Sequence, residues 1–111
     1  MIKLEITVKP KNEKYLEFSQ SLVFIKSDLV RLCNFVIISE DDRIFSIIAN
    51  LNSIEQLTTV LYSDELSILS GAIKMLAEKS EFIVHGIGYK NKVSDLREIR
   101  LNYSKAKNNN Y

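Results

Sequence analysis

Cysteine is nearly missing from this chain. Cys33 stands alone, so no internal disulfide can form and no Cys/His metal framework exists, a usage that fits a reducing compartment and makes the cytoplasm the expected location. One proline and three glycines in 111 residues are too few for a low-complexity or disordered chain. No stretch approaches the ~20 apolar residues needed to span a bilayer. Met1 runs directly into an alternating pattern instead of a basic segment and apolar run, so neither a visible secretion signal nor a membrane span is expected. Charge of one sign is lacking too: 15 basic against 14 acidic residues leave a formal +1, and so weak a field points to neither nucleic acid nor an anionic membrane.

What is present suits one globular domain, since 111 residues support a core of their own but divide poorly in two. In residues 2–8, Ile2, Leu4, Ile6 and Val8 alternate with Lys3, Glu5 and Thr7, the period of a half-buried strand. Pro10 ends it, and over 12–26 the positions Tyr15, Phe18, Leu22 and Ile25 recur at helical spacing. Residues 32–39 and 43–51 are rich in β-branched and aromatic side chains and flank Glu40, Asp41 and Asp42, which predicts an antiparallel hairpin with a polar tip. Asn52 or Ser53 offers a helix cap before Ile54, Leu57 and Leu61. Ser63 offers another, with Asp64 and Glu65 at the positive helix end, before the stripe Leu66, Leu69, Ile73 and Leu76 that should run to about Lys79.

Gly71 interrupts that last helix at a cost of roughly 1 kcal/mol relative to Ala. Close packing against another backbone would account for it; a tolerated surface glycine would serve equally. Residues 82–89 read as a fourth strand, with Phe82, Val84, Gly86 and Gly88 on one face and Ile83, His85, Ile87 and Tyr89 on the other. Residues 96–103 fit two periods, because Ile99, Leu101 and Tyr103 alternate while Leu96, Ile99 and Tyr103 suit a helix; a fifth strand is the reading preferred. The tail 104–110 lacks any bulky apolar residue and should be mobile. The domain thus spans 1–90, with 91–111 as a C-terminal extension.

The order βαββααβ predicts an α+β, ferredoxin-like sandwich with every helix on one face of the sheet. Phe45, Ile47 and Ala49 oppose Ile44 and Ile48 along one strand, so the uncovered face would expose a large apolar patch, and a second subunit is its simplest cover.

From Ile2 to Ile87 the chain resembles the antibiotic biosynthesis monooxygenase-like domains of the dimeric α/β-barrel superfamily. The resemblance rests on Val8-Lys9-Pro10, Phe18, Cys33-Asn34-Phe35 and Phe45. It rests most on Asn52-Ser53-Ile54-Glu55-Gln56-Leu57, Leu61-Tyr62-Ser63-Asp64-Glu65-Leu66 and Leu69-Ser70-Gly71-Ala72-Ile73 with Leu76. It implies a homodimer with two sheets face to face as a barrel, and a pocket between each subunit's sheet and helices. Family members include cofactor-independent oxygenases of polycyclic aromatics, haem-degrading enzymes and proteins of no known activity, so the fold does not fix the chemistry. The chain departs from the pattern at Leu51, where many members carry Trp, and at Val60, where many carry the His that would ligate haem.

Asn34, Asn50, Tyr15, Tyr62 and His85 are the pocket candidates, polar groups able to orient an aromatic substrate or stabilise an enolate; Tyr89 has the same chemistry. Four of them have a plainer role: Tyr15 as a core residue with its hydroxyl at the edge, Asn50 as a cap, Asn34 satisfying a strand end, and His85 hydrogen-bonded in the sheet interface or partly exposed. A buried Cys33 would act as a small hydrophobe, and no nucleophile-elbow pattern supports hydrolysis. Glu40, Asp41 and Asp42 lack cation-loop spacing. The expectation is a homodimer that binds a small apolar or aromatic molecule without cofactor or metal, either as a cofactor-independent monooxygenase or as a non-catalytic binding or interaction protein.

Overall fold

The computed structural model describes residues 2–33, 35–86 and 92–109, with side chains as far as Ser104. Alternation in the first residues becomes strand β1 (Ile2–Pro10), whose Leu4, Ile6 and Val8 are buried on one face. Strands β3 (Ile44–Leu51) and β4 (Ala77–His85) both pair antiparallel with β1, one on each side of it. Strand β2 (Phe35–Asp41) extends the sheet beyond β3, and the two-residue β5 (Lys92–Val93) extends it beyond β4, giving the order β2-β3-β1-β4-β5.

The hairpin between β2 and β3 turns on Asp42 and Arg43, with φ of 52° and 63°. A two-residue turn with both centres left-handed matches the right-handed strand twist, and Asp tolerates that conformation well. The strand therefore continues through Glu40 and Asp41, residues expected at the tip, and only Asp42 of that acidic trio lies in the turn.

A 3-10 turn (Asn12–Lys14) leads into helix α1 (Tyr15–Leu29), which buries Phe18, Leu22, Ile25 and Leu29. Helix α2 (Ile54–Leu61) starts at Ser53, whose side chain accepts the Gln56 N–H, and helix α3 (Asp64–Leu76) starts at Ser63, which accepts from Leu66 N–H, both at 3.1 Å. Such caps satisfy amide donors that the first turn leaves unpaired. Helix α3 ends earlier than the stripe suggested, because Leu76 passes directly into β4 at Ala77. Apolar side chains of the inner sheet face and of the helices form one core, in which Phe18, Leu51, Leu57, Val60, Leu61 and Leu69 are fully enclosed.

The C-terminal segment corrects the sequence expectation. Residues 96–103 are not a strand but the start of helix α4 (Leu96–Asn109), and the added strand is β5 instead. Asp95 Oδ1 accepts the Glu98 N–H at 2.8 Å, and Leu96, Ile99 and Tyr103 are buried while Leu101 is 52% exposed. That is a spacing of three and four, which a strand cannot bury on one face. The helical backbone continues through Asn109, where a mobile tail was expected.

Of the two readings of Gly71 the exposed surface glycine holds: outside its own helix no atom lies within 4 Å of where its Cβ would stand, so packing against another backbone does not explain it. The fourth strand begins at Ala77 and ends at His85, shifted from the expected 82–89, though Phe82 and Val84 point inward and Ile83 and His85 outward as the alternation required. Ile87 and Tyr89 lie outside the described residues.

The four helices among the described residues pack on one side of the sheet, and the other face is open over β2 and the start of β3. Cross-strand rows run Phe35–Asn50–Lys3–His85 and Ile37–Ile48–Glu5–Ile83 over β2, β3, β1 and β4. Phe35 is 46%, Ile37 48% and Ile44 38% exposed there. Scattered apolar residues on a surface need no account, but Phe35 and Ile37 lie next to each other on one face of β2 with Ile48 opposite Ile37, while Ile44 lies beyond the Ser39–Ser46 row and Ile83 beyond Glu5.

Candidate functional site

The candidates among the described residues do not converge on one pocket. Asn34 lies outside the described residues. Asn50 and His85 share a row of the open face, separated by Lys3 on the central strand. Asn50 is buried, and His85 Nε2, also buried, has no hydrogen-bond partner among the described residues; the Glu5 carboxylate lies 3.9 Å from it. An unpaired buried ring nitrogen is unfavourable unless another group completes it.

Tyr15 lies at the other end of the molecule, on the helix side. Its ring stacks on Phe45 at 5.6 Å, Phe18 meets the same Phe45 edge-on at 5.4 Å, and the Arg43 guanidinium sits 4.9 Å from the Tyr15 ring centre. The phenol donates to the Glu40 carboxylate, which lifts its ionisation above the ordinary value of 10.0 by favouring the neutral form. These partners give Tyr15 a structural role, joining α1 to the hairpin. Cys33 is buried, and desolvation pushes its thiol up to about 11, so the nucleophilic thiolate is scarce at neutral pH. Among the described residues no group of three or more His, Cys, Asp or Glu is placed to hold a metal ion.

Tyr62 follows α2 and faces α4: its hydroxyl lies 2.7 Å from Ser104 Oγ, and its ring 5.4 Å from the Arg100 guanidinium. It borders a groove of about 520 Å³ between α3 and α4, walled by Ser67, Ser70, Gly71 and Lys74 on one side and Leu96, Arg97, Arg100 and Leu101 on the other. This site was missed by sequence reasoning because its walls come from segments some thirty residues apart and one of them was read as a strand. Two smaller clefts, of about 380 and 280 Å³, lie at the α3–β4 junction and beside Thr7 and Lys9. None of the three is lined by Tyr15, Asn50 or His85.

Where the resemblance implies a pocket between sheet and helices, the space around the two departing positions is filled. Leu51 and Val60 are both fully buried, and an aliphatic Val60 offers haem iron no axial ligand. The residues present do not fit a haem. No described helix is long and apolar enough to cross a membrane.

No family model matches the sequence, and no curated protein matches it either. Solved structures do. One, an antibiotic biosynthesis monooxygenase, superposes with a TM-score of 0.69 over 80% of this chain and 100% of its own, at 12% identity. Another, a "putative antibiotic biosynthesis monooxygenase" from Deinococcus radiodurans, gives 0.71 over 84% and 98%, at 19% identity. The five-stranded antiparallel sheet with its helices on one side is therefore the ferredoxin-like α+β fold of the antibiotic biosynthesis monooxygenase structures.

Proposed function

We propose that this chain works as a homodimer closed by its open sheet faces, and that the dimer is a non-catalytic binding domain for a small apolar or aromatic molecule. The observation that carries the reading is the uncovered face of β2 and β3, where Phe35 and Ile37 stand exposed beside Ile48 and Ile44 is exposed nearer the hairpin turn. Four strands about 4.8 Å apart and about 26 Å long present roughly 500 Å² in projection, and more in accessible surface, which approaches the ~800 Å² per partner of a standard interface. A second copy brings an identical face, as two-fold symmetry requires. Two sheets closed in this way leave an interior filled by side chains or by one small ligand. Asn50 and the unpaired His85 Nε2 at one end of the face supply the polar groups that would orient it.

The scattering of Tyr15, Asn50, Tyr62 and His85 over separate surfaces supports binding over catalysis, because catalysis needs reacting groups within hydrogen-bond reach of one substrate. The neighbours' names favour a second reading, a cofactor-independent monooxygenase. Native mass spectrometry of protein purified from its own host tests both parts together. A dimer with a discrete added mass is expected, and that molecule, supplied in an oxygen-consumption assay, should not be turned over. A monomer contradicts the assembly, and oxygen uptake contradicts the non-catalytic reading.

A further inference from the structure

The groove between α3 and α4 collects positive charge without an acidic residue in its lining. Lys74, Arg97 and Arg100 all border it, and none of them forms an ion pair among the described residues. Arg100 is fixed in place: its Nε donates to the Leu61 carbonyl that ends α2, and one Nη2 hydrogen to Ser67 Oγ at 3.1 Å. An arginine held by its back edge keeps its Nη1 donors pre-oriented, so less side-chain entropy is lost when they meet an anion. Ser70 adds a hydroxyl, the Ser67 and Ser104 hydroxyls being engaged with the Ser63 carbonyl and with Tyr62, while Leu96, Leu101 and the Tyr62 ring supply apolar wall. Gly71 leaves the floor open where any side chain would begin to fill it.

We infer that this groove binds a small organic anion, one carboxylate or phosphate group joined to an aromatic or aliphatic body. The charged group pairs with the free edge of Arg100 and with Arg97 and Lys74, and the body lies along Leu101 and Tyr62. A volume of about 520 Å³ falls within the ~300–1,000 Å³ usual for small-molecule sites. The site lies on the helix side, away from the open sheet face, and stands whether or not the chain dimerises.

The test is an amide ¹⁵N–¹H NMR titration with phenyl phosphate and with benzoate, using inorganic phosphate and benzyl alcohol as controls. Saturable shifts are expected at residues 62, 67–74 and 97–104 for at least one of the two aromatic anions, and the one bound tighter identifies the charged group. Both controls should bind at least about tenfold more weakly, and Arg100→Gln should weaken the anion about tenfold, as loss of a charge-assisted hydrogen bond does. Because Arg100 also ties α4 to α2, the exposed Arg97→Gln and Lys74→Gln carry the same test with the fold intact, each lowering affinity several-fold and flattening its salt dependence. No saturable shift with either aromatic anion, shifts outside the groove, or affinity unchanged in all three variants would overturn the inference. Inorganic phosphate binding as tightly as phenyl phosphate would overturn the organic body.

Discussion

Truncating Ile99 and Leu101 separately asks whether the C-terminal segment packs as a helix. A strand would place Ile99, Leu101 and Tyr103 on one face and bury all three; helix α4 buries Ile99, 2% exposed, and leaves Leu101 52% exposed. Ile99→Ala removes a buried branched side chain, at a cost of about 2–5 kcal/mol including the cavity left behind. At the edge of the core, where neighbours can relax inward, about 3 kcal/mol is expected. Leu101→Ala loses only half-wetted surface and gains helix propensity, so it should cost under about 1 kcal/mol. For a domain of this size each kcal/mol moves the melting temperature by about 4 °C, which separates the variants by roughly 8 °C or more. Urea unfolding followed by far-ultraviolet circular dichroism, at one fixed protein concentration because assembly also stabilises, measures both. Equal losses in the two variants would refute the helical packing of α4.

Gly71→Ala should raise stability by up to about 1 kcal/mol, since a Cβ meets nothing there and the helix gains propensity; the melting temperature reports it. Cys33, with its thiol pushed up to about 11, should react with an aromatic disulfide reagent at pH 8 far more slowly than a free cysteine, and at the free rate once urea unfolds the chain. The Tyr15 phenol, raised by its hydrogen bond to Glu40, should titrate above 10.0 by ultraviolet absorbance, and Glu40→Gln should bring it down. The sign follows: a folded-state value above the unfolded one gives a stabilisation fully present below pH 10 and lost as pH rises through the folded value, so Tyr15→Phe should make unfolding less steep in that alkaline range.

Much of the fold was legible because simple periods decide it. Ile2 to Val8 alternate and are buried alternately; Ser53 and Ser63 stand as caps and accept the amides of Gln56 and Leu66. The first helix begins late because a 3-10 turn takes up Asn12–Lys14. The C-terminal helix was misread because Ile99 and Tyr103 satisfy periods of two and of 3.6 alike. The deciding signal was present in Asp95 followed three residues later by Glu98, whose N–H the Asp95 side chain accepts, an N-cap that opens the helix. Turn chemistry was blurred for a similar reason: three acids in a row did not reveal that only Asp42, with Arg43, adopts the left-handed conformation.

The candidate site was far less legible. Sequence chemistry picked polar residues one at a time, and the fold sends Tyr15 to the hairpin, Tyr62 to the helix layer, and Asn50 and His85 to the open face. What does assemble is the cationic groove, whose members are ordinary in sequence. Lys74, Arg97 and Arg100 read as solvated helix charges until α3 and α4 are seen side by side.

Sedimentation equilibrium of the intact protein, with Ile37→Lys in parallel, tests the central claim most directly. Ile37 lies on β2 and is 48% exposed, so a lysine there is solvated in the monomer and places a desolvated charge within the interface in the dimer. The account predicts twice the 12.8 kDa chain mass for the natural sequence at micromolar concentration, and a single chain mass with unchanged far-ultraviolet circular dichroism for the variant. A natural chain that sediments as a monomer, or an Ile37→Lys variant that stays dimeric, would contradict association through the open sheet face.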